Sequence, residues 1–322
     1  MNYNEIKPIT DRIKDNINKV IIGKDDVIEL LLTAIIAKGN VLLEDVPGTG
    51  KTLLAKSLAK SLNASFTRIQ FTPDLLPSDI TGINFYNQKQ GEFVFKEGPL
   101  FANIVLGDEI NRATPRTQSA LLECMEEGQV TVDGVTRELD KPFFVIATQN
   151  PIDTSGTFPL PEAQLDRFIM MLDMGYPTHD EEISIMNRFN ETNPLDALTP
   201  VCEKSEIIAM QEAIKQVFIH PHVQDYMVKL IHKTRVSNEI SAGVSPRGTL
   251  ALARCARAYA SIKGRGYVLP EDIKKLAPFV LSHRLLMVSS YNKKAASRAS
   301  IETFLNEVPV PTEDFTAKQI IN

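Results

Sequence analysis

The stretch Glu44-Asp45-Val46-Pro47-Gly48-Thr49-Gly50-Lys51-Thr52 constrains this chain more than any other. An apolar run, Val41-Leu42-Leu43, leads into it, and a Leu/Ala/Lys-rich helical pattern from Leu53 to Leu62 follows directly. Strand, glycine-bearing turn ending in Lys-Thr, then helix is the sequence form of a phosphate-binding loop. Gly48 and Gly50 let the backbone approach an anion, so that successive N–H groups point into one concavity at a helix N-terminus, whose dipole favours negative charge. Pro47, Gly48, Thr49, Gly50, Lys51 and Thr52 are therefore the candidate nucleotide-binding residues. Lys51 adds a point charge for the β- and γ-phosphates, and the Thr52 hydroxyl can ligate Mg²⁺. The commonest form of the motif starts with Gly six positions before the Lys. Asp45 stands there instead, and the cradle glycines keep their places.

Further polar residues follow at the ends of apolar runs. Ile104-Val105-Leu106-Gly107-Asp108-Glu109 is a buried-type strand ending in two acids. The first can hold Mg²⁺ through water beside the phosphate loop, and Glu109 can orient and polarise an attacking water. Another run, Phe143–Thr148, ends in Gln149-Asn150-Pro151. An amide at the carboxyl end of a strand sits at the ligand-binding edge of an open α/β sheet, where Asn150 can position water. Arg167, in Leu165-Asp166-Arg167-Phe168, precedes the last strand and can stabilise transition-state charge. Arg247, in Ser245-Pro246-Arg247, occupies the first turn of a helix with Ser245 as N-cap and Pro246 at the first helical position. A cation there opposes the helix dipole; an anion contact elsewhere would offset that cost, which makes Arg247 a candidate nucleotide sensor.

The pattern of the rest fits such a site. Residues 1–178 alternate short apolar runs with helical patterns, as in a mainly parallel, covered sheet. Residues 179–290 read as a small all-helical domain, with helices near Glu182–Phe189, Ser205–Val217, Val223–Val236, Ser245–Ile262 and Pro270–Leu286. Residues 291–322 add one helix and a tail. A formal net charge of −5 argues against a dedicated nucleic-acid binder. No apolar run approaches the roughly 18 residues that span a bilayer, and the N-terminus lacks an apolar signal core. Three scattered cysteines, Cys124, Cys202 and Cys255, suit a reducing compartment and a cytoplasmic location. The five histidines form no metal cluster. His220-Pro221-His222 reads as a helix start.

With these motifs in this order the chain resembles an AAA+ ATPase, and more closely the MoxR family. The closer resemblance rests on Phe71-Thr72-Pro73-Asp74-Leu75-Leu76-Pro77-Ser78-Asp79, on Gly98–Asn103 through Asp108–Ala113 to Thr117–Glu123, on Pro159–Phe168, on Ser245–Arg247, on Tyr267–Asp272 and on Ser282-His283-Arg284-Leu285. It implies an αβα sandwich on a five-stranded parallel sheet, followed by a helical lid. It also implies that Val20, Ile21, Ile22 and Gly23 line an adenine pocket. An insert hairpin is implied within residues 74–98, with Phe93 and Phe95 on one face. A second is implied at Gln129–Leu139, where Asp133-Gly134 is itself a two-residue hairpin turn. Such inserts face the pore of related ring machines or pack on the neighbouring subunit.

The resemblance makes Arg167 an arginine finger reaching the γ-phosphate of an adjacent subunit, with Asn111, Arg112 and Glu162 near that interface. A hexameric ring is then expected, with Arg247 acting in cis or in trans. The implied activity is Mg²⁺-dependent ATP hydrolysis that remodels a separate partner protein, one carrying a von Willebrand factor A domain. A nucleic-acid motor, a magnesium-chelatase-like subunit and a nucleotide-gated scaffold are the alternatives. The mixed charge of Asn87–Glu92 and Val132-Asp133-Gly134 counts against the first. Asp45 and Gly107 depart from the general motif, and neither is given a side-chain role.

Overall fold

The computed structural model describes residues 1–46, 48–150, 156–190, 193–288, 293–312 and 315. Helices α1 (Ile6–Asn18) and α2 (Asp25–Ile36) precede β1 (Asn40–Glu44), α3 (Lys51–Ser61) and β2 (Phe66–Gln70). A short helix, α4 (Pro77–Thr81), leads into the hairpin β3 (Gly82–Asn87) and β4 (Glu92–Glu97). Next come β5 (Ile104–Asp108), α5 (Pro115–Glu127), the hairpin β6 (Gln129–Val132) and β7 (Val135–Glu138), β8 (Phe144–Gln149), the single turn α6 (Glu162–Leu165) and β9 (Phe168–Leu172). The remainder is α7 (His179–Phe189), α8 (Lys204–Ala213), α9 (Pro221–Val236), β10 (Ile240–Ala242), α10 (Pro246–Ile262), α11 (Pro270–Leu281), β11 (Leu286–Met287) and α12 (Lys293–Glu307).

The sheet is five-stranded and parallel in the order β2-β5-β8-β1-β9. Its central strands are apolar at successive positions because both faces are covered. Side chains alternate faces along a strand. In β1, Val41 and Leu43 join a core with Leu54 and Leu58 of α3, while Leu42 joins a second core with Leu121 and Leu122 of α5. Pleat and pattern thus fix a three-layer α/β sandwich. The phosphate loop leaves the carboxyl end of β1, and α3 starts where it ends. In the helical part, α10 packs on α11, and α2 packs on both α8 and α10.

Two details depart from the sequence reading. The helical part contains a small antiparallel ribbon, β10 with β11, too short to carry a period. The helix expected to run to Leu286 stops at Leu281 and passes through a 3-10 turn at Ser282–Arg284. The reason is local: the Val280 carbonyl, which a continuing helix would give to the backbone N–H of residue 284, accepts instead from the Arg284 guanidinium. His220 does cap α9, its Nδ1 accepting from His222 N at 3.3 Å. Thr178 and Glu181 cap α7 reciprocally.

Candidate active site

Gly50 is the N-cap of α3 and adopts a left-handed conformation, φ 91°. Gly48 has φ 88°. Both values are strained for any residue with a Cβ, which explains why glycine stands at both positions. The first N–H groups of α3, from Lys51 onward, have no intrahelical acceptor and face the loop's concavity. Lys51 Nζ donates to the carbonyls of Asp45 (2.9 Å) and Val46 (3.2 Å), so its charge is folded into the loop. Pro47 lies outside the described residues.

A cleft of about 440 Å³ joins this loop to the ends of the neighbouring strands; Gly48, Gly50, Lys51, Thr52, Asp108, Glu109 and Asn150 all line it. Every one of these was singled out in the sequence, and the sheet brings them together because their strands are parallel and end at the same edge. Asp108 Oδ1 accepts from Thr148 Oγ1 (2.6 Å), and Asp108 Oδ2 accepts from Arg68 Nη2 (2.6 Å). Glu109 has φ 57°, rare for a side chain of this kind. Its N–H donates to Thr148 Oγ1 at 2.8 Å, and its Oε2 accepts from Gln70 Nε2 at 3.0 Å and lies 3.2 Å from Arg112 Nε. The strained backbone, held by Thr148, and two side chains on the carboxylate therefore fix one orientation for Glu109.

A second cleft, about 290 Å³ and mostly apolar, shares Gly48, Gly50 and Leu53 with the first. Val20, Ile21 and Ile22 line it with Thr49, Met174, Pro177, Ile185 and Phe189. A flat apolar ring fits beside a polyphosphate cradle in such a place. Met174 and Pro177 belong to the segment between β9 and α7, so this cleft lies where the sheet passes into the helical part.

Arg167 and Arg247 are not at these clefts. Arg167 precedes β9, and Phe168 pairs with Asn40 at the start of β1. The whole of β1, about 16 Å at 3.3 Å per residue, separates it from the loop that follows Glu44. Both arginines meet one carboxylate near the end of α5: Glu126 Oε2 lies 3.3 Å from Arg167 Nε, and Glu126 Oε1 accepts from Arg247 Nη2 at 2.5 Å. In this subunit the anion that meets Arg247 is a carboxylate, Glu126, which offsets the cost of a cation in a first helical turn.

The sequence reading missed the roles of four further residues. Arg68 and Gln70, two apart on β2, share a face beside β5 and reach Asp108 and Glu109; two long polar side chains flanking the buried Ile69 were the available signal. Thr148 at the end of β8 holds both acids. Asp45 also has a side-chain role, contrary to expectation. It is buried, and its carboxylate accepts from Val46 N (2.8 Å) and Met174 N (3.1 Å), tying the loop to the segment that follows β9.

Asp166 joins the helical part to the residue next to Arg167. Its Oδ1 accepts from Arg284 Nε (2.7 Å) and its Oδ2 from Ser245 Oγ (3.0 Å), the N-cap of the helix that carries Arg247. Burial lowers the pKa of Arg284, against the opposing effect of Asp166. Burial, and then Arg284, push His283 well below the usual histidine range.

A five-stranded parallel sheet, a glycine cradle at a helix start and paired acids at the end of β5 define a nucleotide-binding domain of the AAA+ class, with its helical lid following. The family of ATPases associated with various cellular activities (AAA) matches residues 40–170, and the AAA lid domain matches residues 232–304. The YeaC protein of Bacillus subtilis is 48% identical over 97% of this chain and 98% of its own length. Chaperone MoxR1 of Mycobacterium tuberculosis is 40% identical over 91% of this chain and 78% of its own. A crystal structure of a Cytophaga hutchinsonii protein, 40% identical, superposes with a TM-score of 0.89 over 96% of this chain and 97% of that one. The chain belongs to the MoxR family of AAA+ ATPases.

Proposed function

We propose that this chain is a Mg²⁺-dependent ATP hydrolase that works as a ring of copies, a hexamer in the simplest case, and uses hydrolysis to remodel a partner protein. The observation that carries the reading is the separation within one chain: phosphate loop and acids at one edge of the sheet, Arg167 and Arg247 at the other. Among the described residues, the arginines at a subunit's own cleft, Arg68 and Arg112, are paired with Asp108 and Glu109, whereas Arg167 and Arg247 stand at the other edge. Both arginines then act in trans, Arg167 as the finger and Arg247 beside it, because both already share Glu126.

The residues fit the groups this reading requires. Left-handed Gly48 and Gly50 leave the cradle open to phosphate, with Lys51 able to turn from the loop carbonyls to the β- and γ-oxygens. Ile21 and Ile22 line the cleft suited to adenine. Thr52 and Asp108 form a hard-oxygen donor pair in one cleft, and the Arg68 guanidinium on Asp108 Oδ2 is already a stand-in for positive charge there. Mg²⁺ held by this pair supplies charge neutralisation at the phosphate oxygens. Glu109 takes the proton of the attacking water, Asn150 orients that water, and the opposing arginines stabilise the charge that develops on the transferring group.

A protein partner is favoured over nucleic acid. The two hairpins carry Lys89, Lys96 and Arg137 against Glu92, Glu97, Asp133 and Glu138, so they offer no basic excess. They present exposed Tyr86 and Phe93, ring to ring at 5.4 Å. The chaperone name of the mycobacterial relative supports the same view, and the family resemblance points to a von Willebrand factor A domain on the partner. No helix among the described residues is long and apolar enough to cross a membrane. Three cysteines that are all free fit the cytoplasmic location expected from the sequence.

The test is subunit mixing. Arg167→Ala and Glu109→Gln proteins, each inactive alone, should recover ATP turnover when combined, because a mixed interface pairs an intact loop and Glu109 with an intact Arg167. No recovery at any mixing ratio would defeat the trans assignment.

A further inference from the structure

Glu126 is the residue to which the two trans arginines are anchored. The carboxylate gives one oxygen to each, Oε2 to Arg167 and Oε1 to Arg247. Two guanidinium groups from different parts of the fold are thereby brought onto one small anion, the arrangement in which they would grip a single phosphate. The surrounding cavity, about 220 Å³, is lined by four arginines, Arg167, Arg247, Arg254 and Arg284, and by two carboxylates, Glu126 and Asp166. Lys38 lines it too, with its ammonium 2.6 Å from Glu212. Positive charge is in excess there, and an anion larger than a carboxylate is the natural guest.

Burial divides these ion pairs into two kinds. The Arg284–Asp166 pair is enclosed, with side chains 2% and 20% exposed. Its exchange for solvent is costly, so it stays and holds Asp166, Arg167 and the start of α10 in register. The Glu126 pairs are open: Glu126 is 36% exposed, Arg167 32% and Arg247 44%. Partners this exposed exchange readily. A terminal phosphate, with three oxygens and more charge, outcompetes one carboxylate for the same two guanidinium groups.

We infer that Glu126 is a place-holding carboxylate: it keeps Arg167 and Arg247 converged in the free subunit, and the terminal phosphate of a neighbouring copy's nucleotide displaces it on assembly. The inference rests on the trans reading above and adds a positioning residue to it. Each productive interface then includes an exchange of anions, and the charge on Glu126 sets how much triphosphate that exchange demands.

Glu126→Gln tests this, since it keeps the shape and removes the charge. Two quantities are measured: the ATP concentration giving half-maximal turnover, and the affinity of dilute subunits for a fluorescent ADP, which reads only the subunit's own loop at the far edge of the sheet. The expected result is a half-maximal concentration lowered roughly three- to ten-fold, with ADP affinity unchanged within about two-fold. Glu126→Asp, one methylene shorter and less able to span both guanidinium groups, should shift the value the same way by less. A half-maximal concentration that is unchanged or raised in both variants overturns the inference, as does an ADP affinity that falls in parallel. Subunit mixing separates the two levels: rescue there with no shift here refutes only the role of Glu126, whereas absence of rescue refutes the trans reading itself.

Discussion

Replacing Arg284 with Met removes the charge that fastens the start of β9 to the helical part and keeps an unbranched apolar side chain. The guanidinium is 2% exposed; besides its bond to Asp166 Oδ1 it donates Nη2 to Phe168 O (2.7 Å) and to Asp166 O (3.2 Å). Methionine satisfies none of these acceptors, and the Asp166 carboxylate is left with Ser245 Oγ. Removing one partner of a buried pair costs about 3–5 kcal/mol. Asp166 is 20% exposed, so water reaches it in part and the loss falls near the lower figure, about 3 kcal/mol. Unfolding entropy near 2.1 cal/mol/K per residue, over 322 residues, is about 0.7 kcal/mol/K, so the midpoint should fall by about 4–5 °C. Calorimetry of the nucleotide-free protein measures this. Asp166→Asn alone and combined with Arg284→Met gives the coupling between the two, expected to exceed about 1 kcal/mol. A midpoint for Arg284→Met within about 1 °C of the parent would show that the burial of this charge is already as unfavourable as its loss, and would refute the clamp.

Three other outcomes are expected. His283 is neutral in the fold, its pKa held well below the ordinary 6.5. The unfolded chain therefore takes up a proton that the folded one does not. Stability should be full above about pH 6.5 and decline as pH falls below it. His283→Gln should flatten that decline in denaturant titrations, and an unchanged slope would remove His283 as its source. Lys51→Ala should abolish detectable binding of labelled ADP; retained affinity would undo the phosphate-loop assignment. Glu109→Gln should still bind ATP and lose turnover by roughly 10²-fold or more, and near-parental turnover would end its role as base.

What could be read from the sequence followed the range of the interactions involved. The phosphate loop is strand, turn and helix within one short stretch, and its glycines are needed for backbone reasons alone, so residues and fold appear together. Asp108, Glu109 and Asn150 were legible because a parallel sheet aligns the ends of its strands whatever connects them. Arg167 was legible as a cation before a strand, yet its partner was not: Glu126 lies far back in the chain on α5, and nothing local marks it. The Asp166–Arg284 pair joins residues far apart in the chain, and each reads alone as an ordinary charge. Asp45 was misjudged for the opposite reason. The motif reserves that position for glycine, so its side chain was discounted, and only the fold places Met174 N within its reach. The β10–β11 ribbon is too short for any alternation to register.

The length of β1 has a consequence for counting. On the trans reading proposed above, a subunit with its phosphate loop at one edge and its arginines at the other has two unlike ends, and copies that complete each other's sites meet by unlike surfaces and not across a two-fold axis. In an open row of such copies, one terminal loop faces no arginine and one terminal arginine pair faces no loop. A pair of subunits completes a single site, and each added copy completes one more. Only closure makes the number of working sites equal to the number of subunits. Activity per chain should therefore rise with the size of an open assembly and step upward when the row closes, so that the specific activity itself reports the state of closure.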